Sequence, residues 1–138
     1  MTADLVTFLR ARLDEDEQVA RATHPVFQAW EYDTSVREVR DLGNGNELAS
    51  GVLPPYGAHI ARHDPARVLA EVEAKRRIVD VHHVVGGWQD EDLNDHGPGC
   101  EECGHSEEYS DRGGWCETLR LLALPYAAHP DYREEWRP

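Results

Sequence analysis

Three cysteines in the last third of the chain are the residues best suited to chemistry. Cys100 and Cys103 are separated by two residues and followed by Gly104. Twelve residues lie between Cys103 and Cys116. The short spacer lets two thiolates approach one metal ion, while glycine allows the backbone to fold beneath the sulfur atoms. Cys116 stands where a helix is predicted to begin, and the positive end of a helix dipole favours a thiolate. The pattern predicts a Zn²⁺ site with these three cysteines as ligands.

The predicted elements around the cysteines follow the order of a treble-clef zinc site, which residues 98–124 resemble. The Cys-x-x-Cys-Gly turn, a form known as a zinc knuckle, precedes a tight hairpin over Ser106–Gly114 and then a helix. A treble clef usually takes its fourth ligand one turn into that helix, where this chain has Leu119. A structural Zn²⁺ ion needs four donors, so the fourth must be a histidine from elsewhere, a carboxylate or water.

His82 is the first choice for the fourth ligand. It lies with His83 at the end of the predicted second helix, before a pair of glycines that lets the chain turn back toward the knuckle. At 100° per residue His83 continues the apolar stripe of that helix, whereas His82 lies on its flank, from which a side chain can reach a surface knuckle. His83, His96 and His105 remain alternates.

The residues around the cysteines favour a structural metal over a catalytic one. A deaminase would need His-x-Glu followed by Pro-Cys-x-x-Cys, but here Pro98 is displaced by one residue and none of His82, His83 and His96 has Glu two positions on. Three thiolates also weaken the Lewis acidity of the ion. No catalytic residue is predicted. The competing interpretation is a redox or incidental Cys100/Cys103 pair with Cys116 as a small buried apolar residue.

Periodicity around this site predicts a small α+β domain of three helices, a small antiparallel sheet and a treble-clef-like zinc knuckle. The first helix covers residues 2–22, is capped by Thr2 or Asp4, and stops at His24-Pro25. Residues 26–60 alternate with a period of two, and the Gly- and Asn-rich segment 41–46 predicts a hairpin turn. Pro54-Pro55 is expected to close the last strand.

Two further helices are expected to flank the zinc segment. Asp64-Pro65 predicts the start of the second helix, and residues 118–124 form the third, which Pro125 ends or bends. His59 and His63 are then expected in the strand or loop before the second helix, where they bond to turn carbonyls. The alternative for this pair is a polar pocket for a small anion or a partner carboxylate. Tyr132 and Trp136 are expected to anchor the C-terminal tail, and tryptophans such as Trp88 are candidates for a binding surface.

Length and charge limit the class of protein. The chain has 138 residues and a formal net charge of −13, which predicts one domain over 1–138 and disfavours nucleic-acid and anionic membrane partners. No apolar run approaches the roughly 18 residues that span a bilayer, and the first residues have no secretory pattern. A cytoplasmic location is expected, where thiols stay reduced.

The excess of acidic residues is concentrated in one segment. Residues 87–117 contain ten Asp and Glu residues and one Arg. This segment coincides with the predicted zinc-knuckle insertion at about 86–116.

The stretches HIARHDPARVLAEVEAKRRIVDVHH and CETLRLLALPYAAHPDYREEW, with LVTFLRARLDEDEQ near the N-terminus, resemble a domain-of-unknown-function family of actinomycetes and their phages. The resemblance covers nearly the whole chain and implies a small intracellular protein without an assigned activity. The sequence therefore predicts a zinc-binding module that contacts a protein partner, with a homodimer left open. The alternatives are a metal-dependent enzyme with zinc-bound water and an acidic nucleic-acid mimic of phage origin.

Overall fold

The computed structural model describes residues 4–23 and 29–138, and their contacts fall into two compact units. One unit combines the chain up to Leu13 with Lys75–Pro138, and the other is Asp14–Ala74. The single domain expected over 1–138 stays a prediction. The predicted cap Thr2, the helix stop at His24-Pro25 and the first residues of the predicted sheet lie outside the described residues.

The secondary structure is a mixture of helices and short antiparallel strands, as the sequence predicts. Five α-helices lie within the described ranges: α1 (Leu5–Arg21), α2 (Pro54–Arg62), α3 (Pro65–Val81), α4 (Glu107–Asp111) and α5 (Glu117–Ala123). The strands are β1 (Trp30–Asp33), β2 (Glu38–Asp41), β3 (Glu47–Ala49), β4 (Val84–Val85), β5 (Trp88–Gln89), β6 (Asp95–His96) and β7 (Gly99–Cys100). The prediction of three helices is therefore wrong, because α2 and α4 were not expected.

The starts of the two long helices follow the predicted capping chemistry. The Asp4 carboxylate accepts a hydrogen bond from the backbone N–H of Thr7 at 2.7 Å, and the Asp64 carboxylate accepts one from Arg67 at 2.9 Å. Each bond satisfies one of the amide groups that the first turn of a helix leaves without a partner. Asp4 and Asp64 therefore begin α1 and α3 as the sequence indicates.

Helix α2 corrects the interpretation of the prolines and histidines before α3. Pro54-Pro55 does not close a strand but occupies the first positions of α2, where a proline loses no hydrogen bond and its fixed φ suits the helix. His59 consequently lies within a helix and His63 directly follows it, with the two rings 4.3 Å apart. The expectation that both belong to a strand or loop is wrong for His59. A proline pair is compatible with the start of a helix and with the end of a strand, so this sequence signal does not distinguish the two.

The unit Asp14–Ala74 contains a three-stranded antiparallel sheet in the order β1-β2-β3. The predicted turn at 41–46 joins β2 to β3, and Gly45 adopts a positive φ of 70° there. Helix α2 lies against β1, because Gly57 leaves room for the ring of Tyr32: a Cβ atom at this glycine would lie 2.2 Å from the ring. The Tyr32 hydroxyl donates to the carbonyl of Val52 at 2.5 Å, which holds the ring in place.

The core of the other unit combines α1, the end of α3, α5 and the C-terminal tail. Its buried members are Leu5, Phe8, Leu9, Val79, Cys100, Cys116, Leu119, Ala123 and Trp136. The predicted anchoring of the tail is confirmed, since Trp136 is completely buried and its ring lies 5.0 Å from that of Phe8 and 5.7 Å from that of Tyr132. Two of the predicted metal ligands are thus part of the core. None of the helices in the described ranges is long and apolar enough to cross a membrane.

The contact between Gly57 and Tyr32 predicts an unusual effect of substitution. Gly→Ala within a helix normally stabilises by up to about 1 kcal/mol, but Gly57→Ala should lower the free energy of unfolding by about 1–3 kcal/mol because the added methyl group overlaps the Tyr32 ring. Urea unfolding followed by circular dichroism measures this. Gly86→Ala is the control, since a Cβ there meets no atom within 4 Å; an unchanged or raised midpoint for Gly57→Ala contradicts the packing described.

Candidate metal centre

A two-residue strand pair brings the end of α3 to the first cysteine. Val84 of β4 is paired with Cys100 of β7, and Val85 with Gly99, in antiparallel register. The ladder is extended by the N–H of Glu101, which donates to the carbonyl of His83 at 3.0 Å. A histidine directly after α3 is therefore held close to Cys100, although eighteen positions separate His82 from it.

The Cys-x-x-Cys-Gly segment forms the tight turn that its composition predicts. The N–H of Cys100 donates to the carbonyl of Gly104 at 3.0 Å, and the N–H of Gly104 donates back to Cys100 at 2.8 Å. Gly104 has a φ of +88°, a left-handed conformation that glycine adopts without steric cost. The N–H of Cys103 points at the sulfur of Cys100 at 3.4 Å, an arrangement that stabilises a thiolate.

Cys116 lies at the start of α5, as predicted. It is the N-cap residue of this helix, and its extended backbone turns the chain into the first turn. Its side chain is completely buried. Leu119, which occupies the usual position of a fourth treble-clef ligand, is also completely buried and belongs to the hydrophobic core. An apolar residue there completes the packing of α5 and leaves the fourth donor to another segment.

The four side chains converge with distances typical of tetrahedral coordination. The Nδ1 atom of His82 lies 3.5 Å from the sulfur of Cys100, 3.4 Å from that of Cys103 and 3.7 Å from that of Cys116. All four donor atoms lie within 4.8 Å of one another. Metal–sulfur bonds of about 2.3 Å and metal–nitrogen bonds of about 2.0 Å place N and S roughly 3.6 Å apart in a tetrahedron. One metal ion therefore fits between these atoms.

The electrostatics of the cluster also favour a cation. The pKa of the Cys103 thiol is raised to about 12, first by desolvation of its sulfur and then by the neighbouring thiols of Cys100 and Cys116. All three cysteines are free, so without a metal ion the Cys103 thiol lies beside two further sulfur atoms and resists ionisation. A divalent cation at their centre reverses this effect, because it stabilises each thiolate directly.

The alternate histidines lie elsewhere, each with its own partner. The Nδ1 atom of His83 is 2.8 Å from the carbonyl of Asp80, and the Nε2 atom of His105 is 3.1 Å from the carbonyl of Gly86. His96 bonds through Nε2 to the Asp90 carboxylate at 3.0 Å. Of the histidines considered from the sequence, the structure brings His82 to the three cysteines and leaves the other three outside.

Helix α4 (Glu107–Asp111) replaces the hairpin expected between the second and third cysteines, so the hairpin prediction is wrong and the treble-clef order is not confirmed. The hydroxyl of Ser106 accepts a hydrogen bond from the N–H of Tyr109 at 3.2 Å and caps the helix. Glu107 and Glu108 occupy its first turn, where negative charge stabilises a helix. A serine followed by two glutamates is the signal that would have indicated this helix from the sequence.

A buried arginine links α4 to α5. Arg120 is 1% exposed, and its guanidinium donates to the Glu108 carboxylate at 2.6 Å. It lies one turn after Cys116, whose carbonyl accepts from the N–H of Arg120 at 3.3 Å. The ion pair therefore supports the helix start that presents the third sulfur. No local signal in the sequence indicates this pair, because Glu108 is one of several acids in the same segment.

Fold and site together define a small α+β protein with a Cys₃His cluster suited to a metal ion. The model of a family of unknown function, DUF6221, matches residues 2–138, and the chain belongs to this family. Comparison with curated proteins and with solved structures found no match. The functional argument therefore depends on the site itself.

The geometry predicts different effects for the two adjacent histidines. Structural metal sites of this type contribute about 10–16 kcal/mol of binding free energy, so loss of one of four ligands costs roughly 3 kcal/mol, or about a hundredfold in affinity. His82→Ala should weaken Co²⁺ and Zn²⁺ binding by about this factor in competition with a coloured chelator. His83→Ala is the matched control and should bind as the wild type does; equal losses in both variants would contradict the assigned ligand.

Adjacent glutamates should likewise differ in their effect on stability. Glu108→Gln leaves the buried Arg120 without a counter-charge and should lower the free energy of unfolding by about 1–3 kcal/mol, less than for a fully buried pair because the Glu108 side chain is 59% exposed. Glu107→Gln removes the same charge one position earlier and should change the stability by less than about 0.5 kcal/mol. Denaturant unfolding of the metal-bound variants compares them, and equal values would show that the ion pair is unimportant.

Proposed function

We propose that the protein holds one Zn²⁺ ion through His82, Cys100, Cys103 and Cys116, and that this ion is structural. The convergence of four nitrogen and sulfur donors at tetrahedral distances carries the proposal. Three thiolates and one imidazole form a ligand set typical of structural zinc. A reducing compartment such as the cytoplasm suits this role, because oxidation of the thiols would destroy the ligands.

The donor count favours this role over a metal-dependent enzyme. A catalytic zinc site keeps one position open for water or substrate, whereas four protein donors fill the tetrahedron. Cys100 and Cys116 are at most 1% exposed, so little space remains for a substrate on their side of the ion. Three thiolates also donate enough charge to weaken the activation of a bound water.

The function that we propose for the metal is to support a surface that binds a protein partner. The acidic lobe, defined as residues 87–117, carries ten of the 27 acidic residues of the chain and one basic residue. That residue, Arg112, donates to the backbone carbonyls of Glu135 and Arg137 at 3.3 Å and 3.1 Å, so its charge faces the C-terminal tail. A surface of one sign steers and selects a partner of the opposite sign.

The concentration of acids in one lobe also supports a protein partner over a nucleic-acid mimic of phage origin. A mimic needs carboxylates in rows over a long surface, at the spacing of phosphates. Here the remaining 107 residues are nearly balanced in charge, since most of the excess lies in the acidic lobe. The lobe is thus the part of the protein to which we assign binding.

Removal of the metal tests the structural role. The purified protein should contain one Zn²⁺ per chain by native mass spectrometry, and a strong chelator should expose three titratable thiols. Hydrogen exchange should then become fast at Glu101 and Gly104, whose amides donate to the carbonyls of His83 and Cys100, because metal binding energy is the folding energy of such a segment. The amides of β1–β3 serve as the internal control. A metal-free protein with full protection in the acidic lobe would contradict the proposal.

A further inference from the structure

A cleft within the acidic lobe adds a specific binding site to the proposed surface. It lies between the β5–β6 hairpin and α4, and its volume is about 510 Å³. We name it the Trp88 cleft. The side chains that give it its chemical character are Trp88, Asp95, His96, His105, Glu107 and Asp111.

One wall of the Trp88 cleft is an ordered set of aromatic rings. Trp88 stacks on His96 with 4.4 Å between the ring centroids and 14° between the planes, and the ring of His105 meets Trp88 edge-on at 6.3 Å. His96 is held by the Asp90 carboxylate, and His105 by the carbonyl of Gly86. These bonds position the wall before any ligand arrives. Trp88 is nevertheless 49% exposed, which is costly for an aromatic side chain of this size.

The charges of the Trp88 cleft all have one sign. Asp95, Glu107 and Asp111 line it, and neither Lys nor Arg does. The Asp95 carboxylate accepts from the side chain of Gln89 at 2.8 Å, which fixes its position. Arg112 is adjacent to Asp111 in sequence but bonds to the C-terminal backbone instead. An exposed tryptophan beside carboxylates without local counter-charges forms a site for a cation.

We propose that the Trp88 cleft binds an arginine side chain from a basic segment of the protein partner. The guanidinium group is planar and weakly hydrated, so it stacks on an indole ring while donating to carboxylates at its edges. The compact and strongly hydrated ammonium group of lysine fits this combination less well. The inference rests on the proposed function, because the knuckle that the metal orders lies between β6 and α4, the two elements that bear the acids.

A labelled peptide provides the test. A fluorescent peptide with two arginines separated by glycines is titrated with the zinc-bound protein at physiological salt. The same peptide with citrulline in place of each arginine measures binding without the positive charges. The arginine peptide should bind at least about tenfold more tightly than the citrulline peptide, since both the cation–π contact and the ion pairs need the charge. Equal affinities would overturn the proposal.

Matched variants separate the Trp88 cleft from general acidity. Trp88→Ala alone, and Asp95→Asn, Glu107→Gln and Asp111→Asn together, should each weaken binding at least about tenfold. Glu91→Gln, Glu101→Gln and Glu102→Gln together remove the same charge outside the cleft and should weaken it by less than about threefold. Glu108 is left unchanged in both sets because it pairs with Arg120. Equal losses in the two triple variants would overturn the cleft while leaving an acidic docking surface.

The metal content of every sample keeps the two proposals distinguishable. Native mass spectrometry should find one Zn²⁺ in each variant, since none of the substituted residues is a ligand. Absence of peptide binding by a protein that holds its zinc would overturn the Trp88 cleft without affecting the structural role of the metal. A protein that purifies and stays folded without zinc, and still binds the peptide, would overturn the metal's role while leaving the cleft.

Discussion

The structure of the acidic lobe depends on the meeting of His82 with three sulfur atoms. The buried positions within residues 87–117 are two glycines and two cysteines, Gly99, Cys100, Gly114 and Cys116. The lobe therefore has no aliphatic or aromatic core of its own. Fixing each backbone residue costs about 1–2 kcal/mol, and coordination of the metal that we propose would offset this cost where apolar burial cannot. In this proposal the four ligands serve as the core of the lobe.

This arrangement explains how such a polar segment can present an ordered surface. Two of the proposed metal ligands, Cys100 and Cys116, face inward and join the hydrophobic core that Trp136 completes. The outer side is then free to carry charge, apart from Glu108, which neutralises the buried Arg120. Short strand pairs between β4 and β7 and between β5 and β6 hold the loops in register. Ordered rings and carboxylates at the Trp88 cleft are a consequence of this internal organisation.

Local signals in the sequence predicted some elements well and others poorly, for identifiable reasons. The caps Asp4 and Asp64 could be predicted because a short carboxylate directly before a stretch of helical apolar periodicity usually caps that helix. Pro54-Pro55 is ambiguous in sequence because proline fits both a strand end and a helix start, and the packing of Gly57 on Tyr32 favours the helix. Helix α4 is shorter than two turns, so it has no periodicity to detect, and its local signal is the Ser106 cap followed by two glutamates.

The sequence by itself determined which chemistry this protein can carry, because residue type and close spacing define the donors of the knuckle and the sign of the charge around it. It could not decide which histidine joins Cys100, since four candidates were all compatible with the chain. Tertiary structure made that choice through the pairing of β4 with β7, which holds the residue after α3 against the knuckle. It also placed Arg120 in the core and Trp88 beside the carboxylates of α4. Contacts between distant residues depend on backbone pairing and packing, and the local spacing of residues in the sequence specifies neither.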